Sequence, residues 1–210
     1  MIAVTTLYKP AGLPVFPPHS DPAGDCLLRH LLADQPWRRA IHWPPGFAGG
    51  IAHRLDNATS GAVIVADTLE ELAHWRELFR GHHLTKTYLM LAAKDVPWQR
   101  NQCTAAIAHH PRKRDRMVVE RGKNTPHRGK WYPAHTTFRR VRGHLWEVQI
   151  TTGIMHQIRV HAAFLGIPLL GDSKYGGGKG PSFFLHHVGL TGPSGLHSDP
   201  VPLPDWAASC

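Results

Sequence analysis

Residues 52–66 read AHRLDNATSGAVIVA. A histidine, an arginine, a leucine and an aspartate lie in a row before a Thr-Ser-Gly turn, and an apolar run of β-formers follows. A run as short as residues 62–66, bounded by a turn, reads as a buried strand. Asp56 is therefore expected at a strand–turn edge, with Arg54 on the other side of a single leucine. A carboxylate in that position can simply hold the turn, or it can do chemistry. What the rest of the chain brings to it decides between the two.

Downstream, TLEELAHWRELFRG (residues 68–81) has the signs of a helix: Thr68 and Glu71 as a capping box, Leu72, Trp75 and Phe79 as an apolar stripe, and Gly81 as a stop. TKTYLMLAA (85–93) reads as a strand. Its period of two puts Lys86, Tyr88 and Met90 on one face and Thr87, Leu89 and Leu91 on the other. LWEVQITTG (145–153) is a further strand and SFFLHHVGL (182–190) a last one. MHQIRVHAAFLG (155–166) reads as a helix, since Ile158, Ala162 and Leu165 recur at i, i+4 and i+7. Upstream, residues 7–15 look like a strand broken by the turn KPAGLP. DCLLRHLLADQP (25–36) predicts a short helix with Asp25 as N-cap, Leu27, Leu28, Leu31 and Leu32 on one face, and Pro36 at its end. Residues 36–50 are a proline- and glycine-rich connection. Strands and helices mix without a regular βαβ alternation. The fold class is α+β, with a mixed, largely antiparallel central sheet and flanking helices in a single domain over residues 1–210.

The chain has 210 residues and a net charge of +9. Residues 112–142 hold eleven Lys and Arg against two acidic residues, Asp115 and Glu120, while the remainder carries thirteen of each sign. One segment thus bears the whole excess. Solubilising surfaces intersperse both signs, so a concentrated block points to a polyanion grip on nucleic acid. Lys123 to Lys130 includes Gly, Pro and Asn and is expected to be loop. No stretch approaches the ~18 uninterrupted apolar residues of a membrane helix, and the N-terminus lacks the basic and apolar regions of a secretory signal. Cys26, Cys103 and Cys210 are far apart and form no C-x-x-C pair. That disfavours a disulfide framework or a cysteine zinc site and suits a reducing cytoplasm.

Seventeen histidines raise a metal hypothesis. His156 and His161 are five apart, about 140° around a helix, where a zinc-binding helix needs i and i+4. Adjacent pairs such as His186–His187 cannot share a helix face. No metal is expected. GGGKG (176–180) lacks the spacing and context of a phosphate loop and reads as a flexible loop. Asp56 with Arg54, Tyr88 with Lys86, and Arg159 one turn after His156 remain. Together they would supply a carboxylate nucleophile, a positive partner and an aromatic wall. An arginine close to an aspartate keeps it ionised even when desolvated, and a phenol ring can stack on a flat base.

At these residues the chain resembles the RluA-type pseudouridine synthases. HRLDNATSG (53–61) is similar to that family's H-R-L-D-x-x-T-S-G signature, KTYLML to its K-x-Y strand, and KPAGLPVFP to its opening K-P-A-G-L-x-V-H-P. TTGIMHQIRVHAAFLGIPLLGDSKYG resembles the block T-G-R-T-H-Q-I-R-V-H followed by G-x-P and G-D-x-x-Y-G. The matches keep the family's order from Lys9 to Gly176. Ile154 and Met155 depart from its Arg-Thr, Phe16 departs from its His, and the small N-terminal RNA-binding domain of many members is not found here. The resemblance implies isomerisation of uridine to pseudouridine in ribosomal or transfer RNA, without cofactor or metal, by a cytoplasmic monomer. Asp56 is then the nucleophile, Tyr88 stacks on the base and assists proton removal, and Arg159 pairs with Asp56. Arg54 fills the space left by the flipped uridine. Lys86, His53 and His156, with Arg112, Lys113 and Arg114 of the basic segment, bind substrate. Asp172 and Tyr175 are structural.

Two other functions fit less well. A catalytically inactive RNA-binding protein of the same fold would be expected to lose the nucleophile first, and Asp56 is present. A glycosidase or nucleosidase needs a second carboxylate, and the nearest in sequence, Asp67, heads a helix beyond a strand.

Overall fold

A computed structural model of the chain describes residues 4–180 and 182–208. The contacts divide it into two compact units, Met1–Thr85 with His186–Leu203, and Lys86–Leu185 with Pro204–Cys210.

In the first unit, β1 (Thr5–Lys9) lies antiparallel to β2 (Ser60–Val65), from Thr5 opposite Val65 to Lys9 opposite Gly61. On its other side β2 pairs in parallel with β10 (Leu185–Thr191), where His187 faces Gly61. All six residues of β2 are buried, as the apolar run requires. Gly61 of the Thr-Ser-Gly turn has φ +121°, and a Cβ there would stand 2.1 Å from the His187 carbonyl oxygen. Only glycine lets the two strands approach at that point. The strand expected over 7–15 ends at Lys9, because Pro10 and the turn after it take the chain out of the sheet.

Helix α2 (Leu69–Arg80) begins at Thr68, whose hydroxyl accepts from the Glu71 amide at 3.2 Å. The reciprocal half of the box is displaced by one residue: the Glu71 carboxylate accepts from the Asp67 amide at 2.8 Å. Leu72 and Trp75 are buried in a core with Ile64, Leu84 and Leu190, and Phe79 packs against it. Burial of side chains this large contributes roughly 2–3 kcal/mol each. Helix α1 (Leu27–Asp34) is capped differently from the expectation. Cys26 is the cap, and the carbonyls of Pro14 and Val15 accept from the Leu27 and Leu28 amides. Asp25 instead accepts from His30 Nε2 at 2.6 Å. A loop carbonyl brought in by tertiary structure has replaced the local carboxylate.

The connection over residues 36–50 contains two 3-10 turns, Pro36–Ala40 and Ala48–Gly50. Within the first, Arg38 is 1% exposed and donates to the carbonyls of Gly49 and Ala66, to Gln35 and to the Asp67 carboxylate. A charge this deep is tolerable because acceptors surround it.

In the second unit, four strands run in the order β3 (Thr85–Leu91), β9 (Leu145–Ile150), β8 (Thr136–Arg142) and β4 (Arg100–Cys103), all antiparallel. One parallel pair, β2 with β10, among otherwise antiparallel ladders agrees with the mixed, largely antiparallel α+β expectation. A second sheet has the order β6 (Met117–Val119), β5 (Ile107–His109), β7 (Arg128–Tyr132). Helix α3 (Gln157–Phe164) packs on β6, with Val160 joining Ile107, Met117 and Val119 in a core. Residues 157–162 of α3 are all buried, so the helix is enclosed rather than seated by one apolar stripe. A short α4 (Asp205–Ala208) ends the described chain.

The expected loop over 123–130 is only partly one, since β7 starts at Arg128. The glycine run at 176–180 has no regular structure, yet a Cβ on Gly177 would lie 1.5 Å from the Leu169 carbonyl oxygen. It is packed close against the chain. Cys26 and Cys103 are buried free thiols, and Cys210 lies outside the described residues. Among the described residues no helix is long and apolar enough to cross a membrane.

Candidate active site

Leu55 is buried and anchors the irregular segment 53–56. Arg54 on one side of it is exposed, and Asp56 on the other is half-buried. The chain then reverses in a tight turn closed by the Thr59 amide, which donates to the Asp56 carbonyl at 3.0 Å.

That turn is tied to the loop after β1. The Asn57 carbonyl accepts from the Gly12 amide at 2.8 Å and from Lys9 Nζ at 3.1 Å. Lys9 also donates to the carbonyls of Pro10 and Leu13, at 2.9 and 2.7 Å, and is fully buried. Burial pushes its ammonium down to about 8, against the opposing pull of the Asp56 charge. Lys9 was not among the site residues expected from sequence. The available signal was a lysine directly before a Pro-Ala-Gly turn, where a solvated side chain is the usual outcome.

His53 is also held by the fold. Its Nε2 accepts from the Ile64 amide at 3.1 Å, which assigns any single ring proton to Nδ1. The ring packs against Phe79 and edge-on to His187. Asp67, the carboxylate a glycosidase would need beside Asp56, is committed to Arg38.

The second unit contributes its own set. On β3 the expected alternation is present: Lys86, Tyr88 and Met90 are buried, and the residues between them are only partly so. Burial pushes the Lys86 ammonium down to about 8. Gly153 of the Thr-Thr-Gly loop lies close to it, and a Cβ there would stand 3.1 Å from Lys86 Nζ. Arg159 grips Asp172 with two parallel hydrogen bonds, Nε to Oδ2 at 2.7 Å and Nη2 to Oδ1 at 2.9 Å. The pair is 8% and 1% exposed, so its geometry is rigid and strongly held. The Arg159 guanidinium also lies over the rings of Tyr175 and Phe183. His156 caps α3 in the left-handed conformation, φ +56°, with Nδ1 2.9 Å from the Tyr175 hydroxyl. That hydroxyl in turn accepts from the Met117 amide. Gln157 fastens the loop before the helix, its Oε1 accepting from Thr152 Oγ1 and the Ile154 amide.

The basic segment divides by environment. Arg139 pairs with Glu147 and Arg140 with Asp95, so these two are engaged within the fold. Arg112, Lys113 and Arg114, in the turn between β5 and β6, are exposed, as are Arg121, Lys123, Arg128 and Lys130. The first turn is shaped by His110, whose Nδ1 accepts from the amides of Arg112 and Lys113 at 3.1 Å each. Asp115 is taken up by Lys174 at 2.6 Å, which holds its carboxyl below the usual range.

A cavity of about 540 Å³ in this unit is lined by Leu91, Ala92, Arg142, His144 and Leu170 among others. It is open, offers no carboxylate and holds none of the residues above, so it is not the candidate site. Among the described residues no three His, Cys, Asp or Glu side chains cluster to hold a metal.

Comparison with known proteins adds to this geometry. Residues 3–164 match the family model described as RNA pseudouridylate synthase. The chain is 36% identical over 176 residues to the ribosomal large subunit pseudouridine synthase D of Xylella fastidiosa (strain Temecula1), covering 83% of this chain and 49% of that protein. It is 36% identical over 153 residues to the chloroplastic RNA pseudouridine synthase 2 of Oryza sativa subsp. japonica, covering 71% and 34%. The chain thus spans half or less of the length of these relatives. Among solved structures, human RNA pseudouridylate synthase domain containing 4 superposes with a TM-score of 0.71 at 22% identity, over 98% of this chain and 87% of that one. Human RNA pseudouridylate synthase domain containing 1 does so at 0.70 and 24%, over 88% and 78%. These two likenesses concern the fold.

Proposed function

Given that this chain belongs to the RNA pseudouridylate synthase family, as its RluA-type motifs implied, we propose that it isomerises specific uridines in structured ribosomal or transfer RNA to pseudouridine. The observation that carries the proposal is the turn bearing Asp56: a half-buried carboxylate on a backbone pinned at the next residue by Gly12 and Lys9. A nucleophile needs that kind of fixed presentation.

In this proposal Asp56 attacks the target nucleoside, the N-glycosidic bond breaks and the uracil turns. A carbon–carbon glycosidic bond then forms with release of the Asp56 carboxylate, the ring carbon gives up its hydrogen as a proton, and the ring nitrogen freed from the sugar takes up a proton. Nothing is oxidised or reduced overall, so the isomerisation calls for no cofactor. Tyr88 stacks on the uracil and assists removal of the proton. Arg159, held by Asp172, supplies positive charge to the Asp56 carboxylate. Arg54 occupies the place of the flipped uridine, and Lys86, His53 and His156 contact substrate. Flipping costs a few kcal/mol. Phosphate contacts from Arg112, Lys113 and Arg114 offset that cost. Both units act as one catalytic domain over residues 1–210, as a monomer in the cytoplasm.

The test is tritium release from RNA labelled at the uracil 5-position, wild type against Asp56→Asn. Release by wild type alone supports the assignment. Tight RNA binding with no release from either protein would replace it with the inactive RNA-binding protein.

A further inference from the structure

The basic segment contains aromatic rings that catalysis leaves unused. β7 is an edge of its sheet, and none of its five residues is buried. Charges on an edge strand are expected, because they discourage pairing with another chain. That accounts for Arg128 and Lys130, but not for the rings beside them. His127 is exposed and lies on the half-buried Trp131, with ring centroids 4.3 Å apart and planes tilted by 33°. The Lys130 ammonium sits 5.1 Å from the centre of the Tyr132 ring. In the loop between β6 and β7, the Arg121 guanidinium lies 5.6 Å over Phe164, which is 39% exposed.

Three aromatic rings, each paired with a basic or imidazole side chain, therefore lie in or against the segment that carries the chain's excess positive charge. A purely electrostatic grip on phosphates needs no rings. A surface for unpaired bases needs both, because every base has a face to stack and every nucleotide a phosphate to neutralise. In an A-form duplex the base faces are already covered by their neighbours, and such a surface would engage phosphates alone.

We propose that β7 and the loop before it form a stacking platform for single-stranded RNA. One unpaired base extends the His127–Trp131 stack on the open face of His127, and Lys123, Arg128 and Lys130 take the adjoining phosphates. The proposal rests on RNA being the substrate, and it specifies that part of the bound RNA is unpaired.

The experiment is fluorescence anisotropy with a labelled oligouridylate and with a duplex hairpin of equal phosphate number. Removing the stack with H127A/W131A should weaken oligouridylate binding about tenfold. The same double variant should leave the duplex and the salt dependence of binding unchanged, since every lysine and arginine stays in place. H127F, which keeps a stacked ring, should bind as wild type. Equal weakening on both RNAs, or on neither, overturns the platform. So does displacement of the oligouridylate by poly-glutamate as effective as by unlabelled RNA, which would mark a surface for acidic chains in general. Tritium release measured alongside separates the two proposals. Release without selective weakening defeats the platform alone, and selective weakening without release defeats the synthase alone.

Discussion

Lys9 Nζ lies 3.1 Å from the carbonyl oxygen of Asn57, the residue after Asp56. The two are far apart in sequence, and this hydrogen bond joins the loop after β1 to the turn that presents the carboxylate. Lys9 is thereby a positioning residue, acting on Asp56 through the backbone and through its charge. Replacing it with Met should lower kcat for tritium release by roughly ten- to a hundredfold, with KM little changed. Lys9→Arg should recover part of the activity. An effect confined to KM would make Lys9 an RNA-binding residue instead.

Two buried ammoniums, Lys9 and Lys86, titrate at about 8. Both are charged below that pH and neutral above it, so activity is expected to fall as pH rises through 8. Stability should move the other way. Their unfolded value is 10.5, so between 8 and 10.5 the unfolded chain binds more protons and folding gains. Single-turnover rates and melting temperatures across this window should therefore diverge. A parallel fall in both would mean that activity disappears by unfolding.

Acid should destabilise the fold through two neutral histidines. His161 lies between Thr136 Oγ1 and the Ala105 carbonyl, and His186 Nδ1 contacts Ser60 Oγ. Burial pushes each from 6.5 down to about 4. Their contribution is complete above 6.5 and is lost as pH falls from 6.5 towards 4, by roughly 3 kcal/mol each. Urea midpoints measured down that range should drop, and the drop should be shallower in His161→Asn. An unchanged slope would show that His161 is not the titrating group.

The exposed turn of Arg112, Lys113 and Arg114 is predicted to hold phosphates. Neutralising all three should weaken RNA binding and reduce the slope of log affinity against log salt by about one for each phosphate no longer neutralised. A slope equal to that of wild type would remove this turn from the RNA interface.

Much of the fold was legible because its signals are local. The alternation of Lys86, Tyr88 and Met90 is written in consecutive residues, and β3 buries that face. Thr68 and Glu71 announced α2, although Glu71 reaches Asp67 rather than the cap itself. The features read differently from sequence were those in which local preference gave way to a distant partner. Asp25 is a good capping residue, but the carbonyls of Pro14 and Val15 serve the helix end instead. β6 and β7 escaped detection because a three-residue strand and a polar edge strand carry almost no periodicity. Their pairing with β5 defines them.

The family, the α+β class and the residue types available for chemistry could all be read in one dimension, because ordered short motifs and period-two or helical patterns need no partner to be seen. What those residues touch was settled by tertiary folding. It buried Lys9 and Arg38 among carbonyls, set Asp172 against Arg159, and placed His127 on Trp131. Most of these partners lie well apart along the chain, so no local pattern announces them. A charged side chain's fate in particular depends on whether acceptors arrive to replace its water.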